Sequence, residues 1–261
     1  MHHREIDHGR AFDWGRASVD YAKYRDIYPA AFYQKLLDLG LCRAGQRVLD
    51  LGTGTGVLPR NLYPYGASFT GTDPAENQIA QARALVREAG QEIDFQCMAA
   101  EDSAFADNSF DVVTACQCFS YFDHETLAPR LHRMLRSDGR FVVLYMAWLP
   151  FEDSVAGQSE ALVLQYNPDW TGCGEQRHPI AVPAAYAPYF DLEAQEVFDL
   201  RVPFTRESWN GRMRSCRGMD ASLSAERVAA FDREHRALLE RIAPREFSVL
   251  HYAAMTVLRA K

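Results

Sequence analysis

Three glycines at alternate positions, Gly52, Gly54 and Gly56, follow directly on the apolar run Arg47-Val-Leu-Asp-Leu. Glycine there permits a tight turn and a close approach of main chain to a ligand. The helical segment Val57–Tyr63 comes next, so its unpaired N–H groups face whatever lies over the turn. Asp73 stands 21 residues after Gly52, at the end of the next apolar run. A carboxylate in that place can accept hydrogen bonds from both hydroxyls of a ribose, and it would repel a 2′-phosphate. Asp73-Pro74-Ala75-Glu76 is also a good helix start, with Asp as N-cap, Pro at N1 and Glu at N3. Capping therefore stands beside ribose binding as a reading of Asp73. The dinucleotide fingerprint GxGxxG is not met. The sixth residue from Gly52 is Val57 and from Gly54 it is Pro59, and neither is the small residue that close helix packing over a pyrophosphate needs.

The run Asp50-Leu-Gly-Thr-Gly-Thr-Gly resembles motif I of the class I S-adenosylmethionine-dependent methyltransferases, whose ligand has no phosphate to cradle. In that resemblance Asp73 matches the acid of motif II. Cys97-Met-Ala-Ala-Glu-Asp matches the family's step beside the adenine, with Ala100 and Glu101 in position. The family's frequent Asp at the adenine amino group falls on Ala99, which leaves a main-chain N–H and Asp102 to share that work. Asn108 to Asp123 is similar to the strand and Gln-x-x-x-x-Phe loop of type-11 small-molecule methyltransferases, with Ser120-Tyr121-Phe122 where many have His-Trp-Phe. Cys116 to Phe122 would line the reacting end of the cofactor, and the missing His removes an easy general base. Ser18 to Pro29 resembles the family's Tyr-x-x-Tyr-Arg segment, which folds over the cofactor. Arg25 would pair with the cofactor's carboxylate, and Tyr21 or Tyr24 would cover the methionine or the substrate. The resemblance, specific over residues 18–146, implies S-adenosyl-L-methionine as cofactor and S-adenosyl-L-homocysteine as product. It implies contacts from Tyr21, Arg25, Asp50, Gly52, Thr53, Gly54, Gly56, Asp73, Pro74, Gln78, Ala100, Glu101, Cys116, Gln117, Cys118 and Tyr121. The plain alternatives are a solvated loop for Glu101 and Asp102 and a surface helix packed by its tyrosines for residues 18–29.

These residues need a scaffold. Candidate strands are Arg47–Leu51, Ser68–Thr72, Ile93–Gln96, Asp111–Ala115 and Phe141–Tyr145. Each is a short apolar run without alternation, as in a parallel sheet covered on both faces. Helical segments at Ala30–Leu39, Val57–Tyr63, Pro74–Glu88 and His124–Leu135 alternate with them. The expected fold is α/β: a doubly wound, Rossmann-like sheet of seven strands, mostly parallel with the last antiparallel, carrying a helical insertion as substrate cap. Residues 1–148 would form the cofactor-binding core with an N-terminal lid. Residues 149–190, rich in proline and aromatics, would be the insertion. Residues 191–261 would complete the sheet with strands at Glu193–Leu200 and Phe247–Leu258, and with a helical cap segment at 206–242.

Composition narrows the class. The 261 residues are 48% hydrophobic and 24% charged, with net charge −7, ordinary for a globular chain. An acidic chain without a Lys/Arg block is a poor binder of nucleic acid or anionic membrane. The longest apolar run, Phe141 to Phe151, is too short for the roughly 20 residues of a bilayer span. No apolar h-region follows the N-terminus, so the six scattered cysteines read as reduced thiols of a cytoplasmic protein. No metal-ligand spacing is present. Cys116 and Cys118 read as small wall residues ahead of a thiol function. Asn167-Pro-Asp-Trp, like an amino-methyltransferase motif, lies after the wrong strand. The expected partner is a small molecule, methylated directly by in-line transfer with the nucleophile at roughly 3 Å. Tyr121, His124 and His251 are the candidate catalytic groups. With no positioned base in view, a carboxylate or amine acceptor stands ahead of a phenol. The rival readings are a non-catalytic adenosyl-ligand-binding protein and an NAD-dependent oxidoreductase.

Overall fold

The computed structural model describes residues 6–13 and 22–261. It divides into two compact units. One, the sheet unit, comprises Pro29–Met146, His178–Phe198 and Ala253–Lys261; the other, the aromatic unit, comprises Met1–Tyr28, Ala147–Arg177 and Asp199–Tyr252. Among the described residues no helix is long and apolar enough to cross a membrane.

In the sheet unit, β1 (Arg47–Leu51), β2 (Ser68–Asp73), β3 (Asp94–Cys97) and β4 (Phe110–Cys116) alternate with helices. These are α1 (Ala30–Asp38), α2 (Val57–Leu62), α3 (Glu76–Glu88) and α4 (His124–Met134). β5 (Leu135–Trp148), β6 (Phe190–Thr205) and β7 (Glu246–Ala260) complete a seven-stranded sheet of order β3-β2-β1-β4-β5-β7-β6. β1 pairs parallel with β2 and β4, β2 with β3, and β4 with β5, and the last strands run antiparallel. The expected mixed sheet is what forms. Valines and leucines of β1 and β4 are buried because helices cover both faces. α3 presents Ile79, Ala82 and Val86 to Phe95 of β3, the i, i+3, i+7 stripe of a helix on a sheet.

The register places function. Leu51 pairs with Thr72 and with Ala115, so the carboxyl ends of β1, β2 and β4 end side by side. Strand order reverses between β1 and β4, and ligands of open α/β sheets bind outside that switch point.

Several boundaries differ from the sequence reading. α3 begins at Glu76 with Ala75 as its N-cap, two residues after the expected Pro74. β5 starts at Leu135 and not at Phe141. Leu135 pairs with Phe110 and Arg140 with Val112 across a register shift, with Asp138 in the left-handed region at φ 60°. The insertion holds one regular helix, α5 (Ser154–Tyr166), started by Asp153, whose Oδ1 accepts from Val155 N and Ala156 N. The helical stretch at 206–242 is two helices, α6 (Arg206–Arg214) and α7 (Ala225–Ile242).

The aromatic unit is tied by a buried polar network. Trp209 Nε1 donates to Ser159 Oγ at 2.9 Å, and Ser159 Oγ lies 2.9 Å from His235 Nε2. His235 Nδ1 is 2.7 Å from Asn210 Oδ1, and Asn210 Nδ2 donates to Asp232 Oδ1 at 2.6 Å. Burial pushes the His235 imidazole down to about 4, and burial does the same to His251. Both folded values lie below the unfolded value of about 6.5. The unfolded chain therefore holds more protons between these limits, so stability is intact above pH 6.5 and is lost as pH falls toward 4. The expected loss is on the order of 3 kcal/mol per histidine. In urea melts at pH 7 and pH 4.5, His235→Gln should be less stable than wild type at pH 7, with the gap shrinking at pH 4.5. A gap that widens at the lower pH would contradict the burial of a neutral imidazole.

Candidate cofactor-binding site

The turn after β1 is left-handed at each glycine, with φ 58° at Gly52, 56° at Gly54 and 72° at Gly56. Gly52 also has no room for a side chain: a Cβ would stand 2.7 Å from Cys118 Cβ and 2.8 Å from its Sγ. A Cβ on Gly56 would stand 2.5 Å from the Phe95 ring. The glycines thus let the turn pack down between β3 and the loop after β4. Thr53 N donates to Thr72 O at 2.8 Å, and Gly56 N to Thr53 O at 2.9 Å.

Asp73 binds this turn to the end of β2. Its Oδ2 accepts from Gly54 N at 3.0 Å and its Oδ1 from Ala75 N at 2.9 Å. One oxygen thus serves the main chain at the entry to α3 and the other serves the glycine turn, so Asp73 combines a capping-type contact with its place beside the turn. Burial raises its carboxyl above the usual carboxylate range, and the two main-chain donors oppose that rise. Each oxygen accepts one bond and keeps a further lone pair. Asp50, 2% exposed, accepts from Thr114 Oγ1 at 2.6 Å. Burial pushes its carboxyl up to about 6 against the Thr114 hydrogen bond, and the nearby Asp73 charge adds to the rise. The hydroxyls of Thr55 and Thr72 are buried and have no hydrogen-bond partner among the described residues.

The loop after β4 closes the other side. Gln117 is left-handed at φ 67°, a conformation that costs a non-glycine residue of order 1–3 kcal/mol. Its N donates to Leu144 O at 2.9 Å and its Nε2 to Met146 O at 2.5 Å, so its amide is fixed along β5. Cys118 Sγ lies 3.1 Å from Leu51 O. Burial, then the charge of Asp50, holds the thiol well above its ordinary value, so it is a protonated wall group. Phe119–Tyr121 form one 3-10 turn. Glu101 Oε1 accepts from Asp123 N at 2.8 Å, and Asp123 caps α4 through Thr126 N. Glu101, half-buried, is thus tied to the exit of this loop, whereas Asp102 is exposed. Ala100 is buried in a 3-10 turn, and Gln78 is buried on α3 beyond the exposed Pro74.

Residues 49–143 match the family described as Methyltransferase domain. Within that span the chain is similar to methyltransferase domains of the type-11 group. It is 36% identical over 115 residues to the uncharacterized methyltransferase YcgJ of Bacillus subtilis, covering 41% of this chain and 46% of that protein. It is 39% identical over 114 residues to a demethylmenaquinone methyltransferase of Thermus thermophilus, covering 42% and 52%. It is 42% identical over 98 residues to a ubiquinone biosynthesis O-methyltransferase of Idiomarina loihiensis, covering 37% and 40%. The chain thus spans about half the length of the curated relatives it matches. The crystal structure of YcgJ shares the fold, with TM-score 0.52 over 88% of this chain and 98% of that one at 21% identity. A putative methyltransferase of Bacillus halodurans does so with TM-score 0.53, over 88% and 99%, at 17% identity.

In the sheet unit, Asp50, Gly52 to Gly56, Asp73, Cys116, Gln117 and Cys118 gather at the carboxyl ends of β1, β2 and β4. His124 opens α4, with Nδ1 3.1 Å from Tyr186 Oη and its ring 4.6 Å from that of Phe119. Tyr186 is 1% exposed, and burial keeps its phenol protonated. Nothing in Ala184-Ala-Tyr186-Ala-Pro marked it, because the partner that makes it notable stands 62 residues away. His251 lies in the aromatic unit. So does half-buried Arg25, whose charge acts on the buried Cys216 thiol. Tyr21 lies outside the described residues. Among the described residues no cluster of His, Cys, Asp and Glu could hold a metal ion.

The contact at Gly52 is testable. Gly52→Ala should destabilise the fold by roughly 2–5 kcal/mol, the sum of overpacking and a left-handed alanine. In a Cys118→Gly background the same change should cost only about 1–2 kcal/mol. Equal costs in the two backgrounds, by urea melts in a double-mutant cycle, would contradict the contact.

Proposed function

We propose that this protein is an S-adenosylmethionine-dependent methyltransferase acting on a small molecule by direct in-line transfer. The observation that carries the reading is the Asp73 carboxylate, held by Gly54 N and Ala75 N beside the three-glycine turn. The donor set fits an adenosyl ligand. Asp73 offers lone pairs to a ribose diol, the turn offers main chain without side chains, and the Thr55 and Thr72 hydroxyls are buried and unpartnered. No helix-packing small residue stands where a pyrophosphate would need one. When bound, the cofactor supplies a methyl group already activated on a sulfonium.

The chain's own residues then bind, orient and exclude water. Asp73 would hold the ribose. Ala100 and the neighbouring main chain would border the adenine. Asp50, with its carboxyl pushed up to about 6, would be drawn toward ionisation by a cationic ligand. Gln117, Cys118 and Tyr121 would wall the reacting end, fixed by the bonds of Gln117 to β5. Cys118 would act there as a protonated filler and not as a nucleophile. Relatives named for demethylmenaquinone and for ubiquinone biosynthesis support a small-molecule acceptor for this chain.

Thermal unfolding in the presence of S-adenosylhomocysteine, S-adenosylmethionine and NAD tests the reading. At 100 times its Kd either adenosyl ligand should add roughly 2.7 kcal/mol of stability, and Asp73→Ala should abolish that gain. Stabilisation by NAD alone, or by none of the three, would overturn it.

A further inference from the structure

A cavity of about 430 Å³ opens on the aromatic unit, lined by Leu149, Phe151, Glu152, Glu175, Gln176 and Arg177. All six lie in the continuous stretch Ala147–Arg177 of that unit, and the size suits a small molecule. Leu149 is 2% exposed and gives the cavity an apolar wall. Glu152 N and Asp153 N donate to Leu149 O at 3.1 and 2.9 Å, and this turn carries Phe151 and Glu152 out to solvent. The rest of the lining follows Gly174, which is left-handed at φ 72° and whose N donates to the buried Glu160 Oε1 at 2.7 Å. A Cβ on Gly174 would stand 3.9 Å from Phe151 Cζ, so the turn brings the run Glu175–Arg177 beside that ring. Tyr252 Oη donates to Glu175 Oε1 at 2.5 Å. The Arg177 guanidinium bonds both oxygens of Glu152 and both of Asp199, which ties the two runs together. The walls are therefore held by bonds made within one unit.

The charges of the lining decide the sign of an occupant. Arg177 Nε and Nη2 donate to Asp199 at 2.7 and 2.9 Å, and Nη2 also donates to Glu152 at 3.0 Å, with Nη1 on the other Glu152 oxygen. Most of the guanidinium N–H groups are thereby used, and its charge is met by two carboxylates, so an anion finds little there. Glu175 adds a third carboxylate, bonded to a neutral hydroxyl. Among the lining residues and these bonded partners, three carboxylates stand against one guanidinium. Each carboxylate oxygen can accept more than one hydrogen bond. Phe151 adds a ring that is 73% exposed, and an aromatic face attracts a cation. An ammonium brings the N–H donors that carboxylates accept and the positive charge that both the carboxylates and the ring favour.

We propose that this cavity binds a small organic cation bearing an ammonium group, held by Glu175 and Glu152 against the face of Phe151. Glu175 is the principal anion, because Arg177 already offsets Glu152. The site takes no residue from the glycine turn, so it holds whether or not the chain binds an adenosyl ligand.

The probes are 4-fluorobenzylamine, 4-fluorobenzyl alcohol and 4-fluorobenzoate, titrated into the full chain at pH 7 and followed by fluorine NMR line width. The amine, protonated at that pH, should bind at least about tenfold more tightly than the alcohol, which keeps the ring and lacks the charge. The benzoate should bind most weakly. Phe151→Ala should weaken amine binding about two- to fivefold. Glu175→Gln keeps an oxygen for the Tyr252 hydroxyl and removes the charge, and should bring amine and alcohol within about threefold. Equal binding of amine and alcohol to the wild type, tightest binding of the benzoate, or no binding of any probe would overturn the site. An amine affinity that neither substitution changes would also overturn it, because the amine would then sit elsewhere on the acidic chain. Phe151→Ala alters an exposed ring, so that comparison stands even if Glu175→Gln does not fold.

Discussion

The hydrogen bond from Gly54 N to Asp73 Oδ2 is the interaction on which the candidate site depends. It joins the turn after β1 to the end of β2, and it requires Gly54 in a left-handed conformation. The other oxygen, Oδ1, accepts from Ala75 N at the entry to α3. One carboxylate thereby sets the turn, the helix start and the acceptor lone pairs at the edge of the sheet. The glycines on either side serve the same arrangement. Gly52 admits Cys118, and Gly56 admits the Phe95 ring, so the turn is clamped by the strands it serves.

Charge balances this packing. Asp50 is buried and Asp73 half-buried; burial raises the Asp50 carboxyl to about 6, and the charge of Asp73 adds a smaller rise. The donors present, Thr114 for Asp50 and two main-chain N–H groups for Asp73, are neutral. Among the described residues these two carboxylates are met by neutral donors, an acidic environment suited to a ligand that carries positive charge. The left-handed Gln117 and its bonds to Leu144 and Met146 hold the opposite wall. Strain of this kind persists only where surrounding bonds over-determine it, which here is the loop that faces the turn.

Much of this was legible from the chain. The strands at Arg47, Ser68 and Asp111 and the spacing of Gly52 to Asp73 were readable because buried parallel strands write themselves as short apolar runs. Ribose binding and capping both fit the same four residues at Asp73, and the bond to Gly54, 19 residues away, could not be read from them. Glu101 stood as a cofactor contact or a solvated loop residue, because its partner, Asp123 N, belongs to a helix start 22 residues on. Tyr186 and the Ser159–His235–Asn210 network were invisible, since no local pattern encodes pairs separated by 25 to 76 residues. His251 was picked as a base by residue type alone. Its burial against Trp148 and Trp209 is a property of the packed unit.

The most direct test of the central claim is calorimetric titration of S-adenosylhomocysteine against its 2′-deoxy analogue, on the wild type and on Asp73→Asn. A hydrogen bond to a carboxylate contributes about 1.5–3 kcal/mol, so the analogue should bind the wild type roughly tenfold to a hundredfold more weakly. In Asp73→Asn the two ligands should draw close together. Equal affinity of the two ligands for the wild type would contradict a ribose held by Asp73, and with it the assignment of the turn.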